Sequence, residues 1–310
     1  MHAHSHDHGG TGRILKWSFF ATVAFVGIEG AAGVQAGSLA LLSDAGHNLT
    51  DALALLFAWY ASRLESKPAN EVKTFGYHRM GVLAAFLNAL VLLLLSLWIF
   101  YESYERLLRP ETVQENTMLI VAALGLLLNG AIMWSLRLAR QHDINVRSAY
   151  VHMLGDALGS IGIVIGAIVI HYTGWQRIDA VLSLIIGALI VWTAWDIVHE
   201  SLNILLEGLP RGIALQSVTG ALQSVEGVID VHDLHIWSLG SSTHALSCHA
   251  LIEDVPPSTS DGILRRMNHV LADKFGIRHT TVQFEHVGCA VSESGCCVIP
   301  VSSHTHQHQH

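Results

Sequence analysis

Two seven-residue segments of this chain carry the same chemistry. One reads His47-Asn48-Leu49-Thr50-Asp51-Ala52-Leu53 and the other His152-Met153-Leu154-Gly155-Asp156-Ala157-Leu158, with five of seven positions identical. In each, an imidazole precedes a carboxylate by four residues. On an α-helix that spacing stacks the two side chains one turn apart on a single face. If the two faces meet, two imidazoles and two carboxylates converge, a donor set that Zn²⁺ accepts in tetrahedral geometry at roughly 2.0–2.2 Å. The absence of thiolate speaks against Cu(I), and the imidazoles speak against Mg²⁺ and Mn²⁺, which favour all-oxygen shells. The alternative reading is a pair of buried polar cross-links between helices, but cross-linking gives no reason for the same dyad to occur twice.

The elements that must position these dyads are apolar and long. Of 310 residues, 51% are hydrophobic and only 14% charged, a balance that points to a membrane. A hydrocarbon core of roughly 30 Å needs about 20 apolar residues. Six windows meet that length: Ile14 to Val34, Ser38 to Tyr60, Gly81 to Tyr104, Thr117 to Ala139, Ser148 to His171 and Ile178 to Val198. The first is of full spanning length behind a polar leader, so it is expected to stay as a helix rather than be cleaved. An ionisable side chain inside such a helix costs about 2.5–3.5 kcal/mol on insertion scales, which makes the dyads in the second and fifth windows functional candidates. The copies lie three helices apart, with two helices between them, so they run in opposite directions, as in the inverted repeats of carriers with midplane sites.

Lys and Arg fall unevenly between the loops. Nine (Arg13, Lys16, Arg63, Lys67, Lys73, Arg79, Arg137, Arg140 and Arg147) lie on one side, against Arg106, Arg109 and Arg177 on the other. Positive charge marks the cytoplasmic face, so both termini are expected there. Within the helices, Gly155/Gly159 and Gly162/Gly166 read as small-residue packing pairs. Asp44 reads as an outer-shell acceptor or a cap for the second helix. Glu29, Asn88 and Asn129 read as interhelical hydrogen-bonders or access-path residues.

From about Gly208 the chain turns mixed-charge and soluble in character. Ala214 to Val225 and Ser258 to Phe275 read as helices; Val228 to Ser238, His244 to Glu253 and Thr280 to Glu285 read as strands. The order αββαβ fits a small sheet with both helices on one face. The division expected is a His-rich tail over 1–13, a six-helix membrane domain over 14–207, an α+β cytoplasmic domain over 208–287 and a Cys/His-rich tail over 288–310. Only four cysteines occur, none in the hydrophobic first two-thirds, so a disulfide-stapled secreted fold is excluded. Cys289, Cys296 and Cys297 read as candidates for metal capture or reversible oxidation. The tail histidines read as weak zinc collectors. A formal charge of −8 gives no support for a nucleic-acid partner.

With these residues in view, the chain resembles the cation diffusion facilitator family of zinc transporters. The resemblance runs from Ile14 to Glu285. It rests on Gly37 through His47 (GSLALLSDAGH) leading into Asp51, on Phe75-Gly76-Tyr77-His78-Arg79, on His152 with Asp156, and on His232-Asp233-Leu234-His235-Ile236-Trp237. It implies a homodimeric cation/proton antiporter of the bacterial inner membrane that exports Zn²⁺, with His47, Asp51, His152 and Asp156 as transport site. Members with His at the first of these positions tend to take zinc and cadmium, so His47 implies Cd²⁺ as a second cargo. The αββαβ part resembles the family's metallochaperone-like, ferredoxin-like closing domain, in which His232, His249 and Glu285 fall on metal-binding positions and His279 on a fourth. Gln283 replaces a ligand of the two-metal centres found in some members. Asn70, Glu71, Lys73 and Tyr77 replace the Asp/His zinc site of the loop between the second and third helices. Arg79 and Glu207 match a basic–acidic pair that interlocks the dimer.

Metal binds neutral imidazole and ionised carboxylate, so protons compete with zinc for the quartet and an inward proton gradient can drive release. No His-Glu-x-x-His occurs, which speaks against a membrane zinc hydrolase. A membrane-anchored zinc sensor and a zinc channel without proton coupling remain the competing readings.

Overall fold

The computed structural model describes residues 8–136, 144–240 and 243–286. The chain divides into two compact units: one holds the chain up to Ser62 with Leu83–His199, the other Arg63–Val82 with the chain from Glu200 onward.

Six long helices carry the apolar windows: α1 (His8–Ala36), α2 (Leu39–Glu65), α3 (Met80–Leu108), α4 (Glu115–Leu136), α5 (Ile144–Thr173) and α6 (Arg177–Leu205). Five of them are long and apolar enough to cross a bilayer. The sixth, α2, has the length but carries Asp44, His47, Asn48, Thr50 and Asp51 within two turns, which lowers its hydropathy. Phe57, Leu94, Leu127, Ile165 and Trp192 are each half or more exposed. Side chains of that kind are stable outward only against lipid or a partner. Between the helices, Ala40 and Leu41 of α2 pack with Met118, Val121 and Ala122 of α4 and Ile163 and Ala167 of α5.

The start of α2 is fixed from a distance. Gly37 adopts φ 65° and closes α1, with Ser38 N donating to Gly33 O at 3.0 Å; only a residue without Cβ takes this left-handed cap without cost. Ser38 then caps α2 through Oγ, accepting from Leu41 N at 3.2 Å. The carboxylate of Asp179, from the first turn of α6, accepts from Ser38 Oγ at 2.6 Å, Leu39 N at 2.7 Å and Ala40 N at 3.3 Å. Arg106 of α3 stands 3.9 Å from the same carboxylate and donates to Gly37 O at 2.6 Å. Asp44 therefore does not cap the helix; it lies buried in the helix body.

The second unit contains α7 (Leu215–Gln223), β1 (Val228–Ser238), β2 (His244–Ile252), α8 (Pro257–Phe275) and β3 (Ile277–Glu285). β2 is central, antiparallel to β1 and parallel to β3. Val218 and Leu222 of α7 and Ile263, Met267 and Leu271 of α8 share one core with Leu246, Ala250 and Ile252, so both helices cover one face. β3 begins three residues earlier than its polar start suggests. Gly276 ends α8 in the left-handed conformation, φ 68°, and Ile277 is fully buried immediately after it. Burial pushes the Cys248 thiol up to about 11, and it serves as a neutral packing group in this core.

Replacing Asp179 by Asn removes the charge and turns one accepting oxygen into an N–H donor, which must face either the Leu39 amide or the Ser38 hydroxyl and Ala40 amide. The loss of charged hydrogen bonds should cost about 2 kcal/mol. It is checked as a lowered Tm of the purified full chain in detergent; an unchanged Tm would show that α2 does not depend on this carboxylate.

Candidate metal centres

In the first unit, α2 and α5 bring the two dyads together. His47 Nε2 lies 3.6 Å from Asp51 Oδ2, Asp51 Oδ2 lies 3.4 Å from His152 Nε2, and His152 Nε2 lies 3.6 Å from Asp156 Oδ2. The imidazole rings meet edge to face, with centroids 6.4 Å apart. A tetrahedron with bonds of about 2.1 Å has edges of about 3.4 Å, and each of these three links is close to such an edge. The four donors form a chain of links, and among the described residues the one group of three drawn within 4.8 Å of one another lies elsewhere, on the sheet of the second unit. Asp156 is buried, and His47 Nδ1 is buried without a hydrogen-bond partner. Thr50 donates its hydroxyl to the His47 carbonyl at 2.7 Å, turning its polar end back on the helix.

Two cavities reach the quartet. One, of about 520 Å³, is lined by Asp44, His47, His152 and Asp156 together with Leu182, Ile185 and Leu189 of α6. The other, of about 140 Å³, is lined by Asn48, Asp51 and His152 with Thr22 of α1 and Met153. The α5 glycines have separate uses. A Cβ on Gly166 would collide with Leu182, and one on Gly159 would lie 3.7 Å from Asp44 Oδ1, whereas a Cβ on Gly155 would meet nothing within 4 Å. Gly155 thus leaves room at the site instead of packing helices. Glu29 of α1 is buried against Asp44 and Asn48 of α2, with its Oε2 lacking a hydrogen-bond partner. This carboxyl neighbourhood, adjoining the quartet, is absent from the spacing pattern because its members come from different helices.

In the second unit a smaller cluster forms on the sheet. His232 and His249 are direct partners across β1 and β2, and Gln283 and Glu285 lie on β3 beside them. Glu285 Oε2 is 3.2 Å from His232 Nε2, and Glu285 Oε1 is 2.9 Å from His249 Nδ1. One ligand atom from each of the three residues lies within 4.8 Å of the others. Yet His232 Nε2, His249 Nδ1 and Glu285 Oε2 are buried and make no aligned hydrogen bond. Donors that converge without bonding one another suit a shared cation, and two imidazoles with one carboxylate fit Zn²⁺ with a fourth position left open. His279 is not brought to this cluster. It sits six residues from Glu285 on the same strand, about 20 Å at the strand rise, with its ring edge-on to Phe75 at 5.3 Å.

Residues 15–206 match the family described as the cation efflux transmembrane domain, and residues 210–287 match the cation efflux protein cytoplasmic domain. The chain belongs to the cation efflux, or cation diffusion facilitator, family. It is 39% identical over 285 residues to a cadmium, cobalt and zinc/H(+)-K(+) antiporter of Bacillus subtilis, covering 91% of each chain. It is 40% identical over 292 residues to the metal cation efflux system protein CzcD of Cupriavidus metallidurans, covering 94% of this chain and 92% of the other. To the zinc transporter ZitB of Escherichia coli it is 36% identical over 317 residues, or 99% of each. A solved metal-bound C-terminal domain of the CzcD transporter from Cupriavidus metallidurans is 38% identical, covers 24% of this chain and 99% of its own, and gives a TM-score of 0.22.

In this member of the family the segment between α2 and α3 is built on Asn70, whose Oδ1 accepts from Val72 N and Lys73 N and whose Nδ2 donates to Tyr77 at 3.2 Å. Arg79 Nη2 donates to Glu207 Oε1 at 3.0 Å. Glu207 adopts φ 60° just after α6, where Gly208 N donates to Asn203 O at 2.8 Å. A glycine would be the unstrained choice at this helix end. Cys289, Cys296 and Cys297, the C-terminal histidines, and His2, His4 and His6 lie outside the described residues.

The two interactions at Glu207 oppose each other, because an exposed ion pair contributes about 0–1 kcal/mol and left-handed backbone at a residue with Cβ costs about 1–2 kcal/mol. Glu207→Gly should therefore keep or raise the Tm of the full chain, and Glu207→Ala should lower it. A lower Tm for the glycine variant would show that the ion pair outweighs the backbone strain.

Proposed function

We propose that the protein exports Zn²⁺, with Cd²⁺ as a second cargo, from the cytoplasm in exchange for protons. In this reading His47, Asp51, His152 and Asp156 are the transport site, the chain acts as a homodimer, and both termini are cytoplasmic. The domain division is that expected from the sequence, with tails over 1–13 and 288–310 flanking a membrane domain to 207 and a cytoplasmic domain to 287. The observation that carries the reading is the run of three donor separations of 3.4–3.6 Å joining the dyads of α2 and α5. The relatives' names, which include zinc, cadmium and a proton-linked antiporter, support the choice of cargo and counter-ion.

The chemistry follows from which protonation states bind metal. Zn²⁺ takes neutral imidazole and ionised carboxylate, so each proton that joins the quartet removes a donor. Facing the cytoplasm, the site loads where protons are scarce; facing outward, it meets the higher proton concentration and releases the ion. His152, which borders both cavities, is the donor a two-sided site needs. The His232, His249 and Glu285 cluster is proposed as a second, cytoplasmic Zn²⁺ site that holds rather than transports.

Asp51→Ala and Asp156→Ala should each reduce zinc uptake into proteoliposomes with an imposed pH gradient to the protein-free background, while gel filtration stays unchanged. Undiminished uptake would contradict the assignment. Reversing the gradient should reverse the direction of net zinc movement in the wild type, and a flux indifferent to the gradient would favour a channel. His47→Asp should broaden the range of metals carried, because it replaces a borderline nitrogen donor by oxygen; an unchanged metal profile would show that His47 does not set selectivity.

A further inference from the structure

β1 and β2 do not pair regularly beside the cytoplasmic cluster. His232 pairs with His249 and His235 with Ser247, so Asp233 and Leu234 together face the single residue Cys248. This is a β-bulge, a device that re-aims side chains. In an unbroken strand His232 and His235, three positions apart, would point to opposite faces. The extra residue changes that alternation: Leu234 packs against the core, while the carboxylate of Asp233 lies against the cluster. Asp233 Oδ2 is 3.8 Å from His249 Nε2, and its Oδ1 is 3.1 Å from His235 Nε2. The other ring nitrogen of His249, Nδ1, is the one that points at Glu285.

We propose that Asp233 is a positioning residue for the cytoplasmic metal site: its carboxylate, at 3.8 Å from His249 Nε2 and so acting through charge and not a direct hydrogen bond, favours the tautomer with the proton on Nε2 so that Nδ1 faces the ion, with His235 holding the second carboxylate oxygen. The proposal rests on the reading that His232, His249 and Glu285 take a metal. A metal-bound imidazole characteristically donates its far N–H to a carboxylate or carbonyl, which fixes its tautomer and raises its basicity as a ligand. Here the carboxylate comes from a backbone position at φ 50°, where Asn or Gly would sit with less strain than Asp. An acid kept at a left-handed position, with both oxygens turned to imidazoles, points to a use for the carboxylate itself.

The test is a Co²⁺ titration of the purified full chain carrying Asp51→Ala and Asp156→Ala, followed by the visible absorption of four-coordinate Co²⁺. The part of the band abolished by His232→Ala belongs to the cytoplasmic cluster. Asp233→Asn and Asp233→Gly both tolerate the left-handed backbone, so a purely conformational role predicts wild-type binding in each. The proposal expects both to weaken Co²⁺ binding at that band by roughly 10- to 100-fold, with the Tm kept or raised. Wild-type affinity in both variants overturns it while leaving the metal site intact. A band untouched by His232→Ala overturns the metal site itself, and the role of Asp233 with it.

Discussion

The constraint on which the membrane unit depends is the cost of holding ionisable groups in an apolar bundle. Each of them at the helix centre costs about 2.5–3.5 kcal/mol on insertion scales unless it faces inward and finds a partner. Asp51 lies within 3.4 Å of His152 and 3.6 Å of His47, which gives each side chain of the α2 dyad a polar neighbour and removes the reason to turn toward lipid. The same contacts limit how α2 and α5 can rotate, because turning either helix outward would expose a carboxylate to hydrocarbon. The helix rotations are thus fixed by the chemistry of the site as much as by apolar packing, which in a membrane has no hydrophobic effect to drive it.

A second consequence is that α2 needs anchoring from outside itself. Its centre is too polar for it to rank with the other five helices by hydropathy. Asp179 supplies the anchor by accepting from Ser38, Leu39 and Ala40 across about 140 residues of chain. A helix N-terminus presents several amides without helical partners, and a buried carboxylate satisfies them in addition to favourable alignment with the helix dipole. Arg106 offsets part of the charge so placed. Helix α2 is thus held at its end, which leaves the polar stretch from Asp44 to Asp51 free to face the two cavities.

How much was legible in the residues depends on the range of the interaction. The dyads could be read because four-residue spacing on a helix is a local rule, and the αββαβ order could be read because strand and helix periods differ over short windows. The convergence of the dyads is tertiary, and the repeat of the pattern was the sole hint of it. Asp179 carries no local signal at all: an acid in the first turn of α6 looks like an ordinary dipole partner for its own helix. Gly155 reads as a packing glycine until the space beside it is seen to be open. His279 lies on the correct strand, yet six residues from Glu285, and pairing register decides which residues of adjacent strands meet. The bulge at Asp233 is invisible to a period-of-two reading, since one added residue reverses every side-chain direction beyond it.

The two clusters differ in charge, and the difference suits their surroundings. Two aspartates balance the charge of a divalent ion, so a loaded quartet of His47, Asp51, His152 and Asp156 is neutral overall and can sit between apolar helices without the cost of a net charge. Emptied, the same four groups would leave two negative charges in that environment, and protons are the smallest ions able to cancel them. On the proposed reading, competition between metal and proton at this quartet follows from electrostatics and does not depend on a particular pathway. The cluster of His232, His249 and Glu285 has one carboxylate for the same ion, so a loaded site there keeps a positive charge. Asp233, 3.8 Å from His249, supplies a second carboxylate close by without entering the group of three that shares a point. On the proposed reading, a site partly open to water tolerates that arrangement, and the outer carboxylate would restore the balance that the quartet would achieve with its own two aspartates.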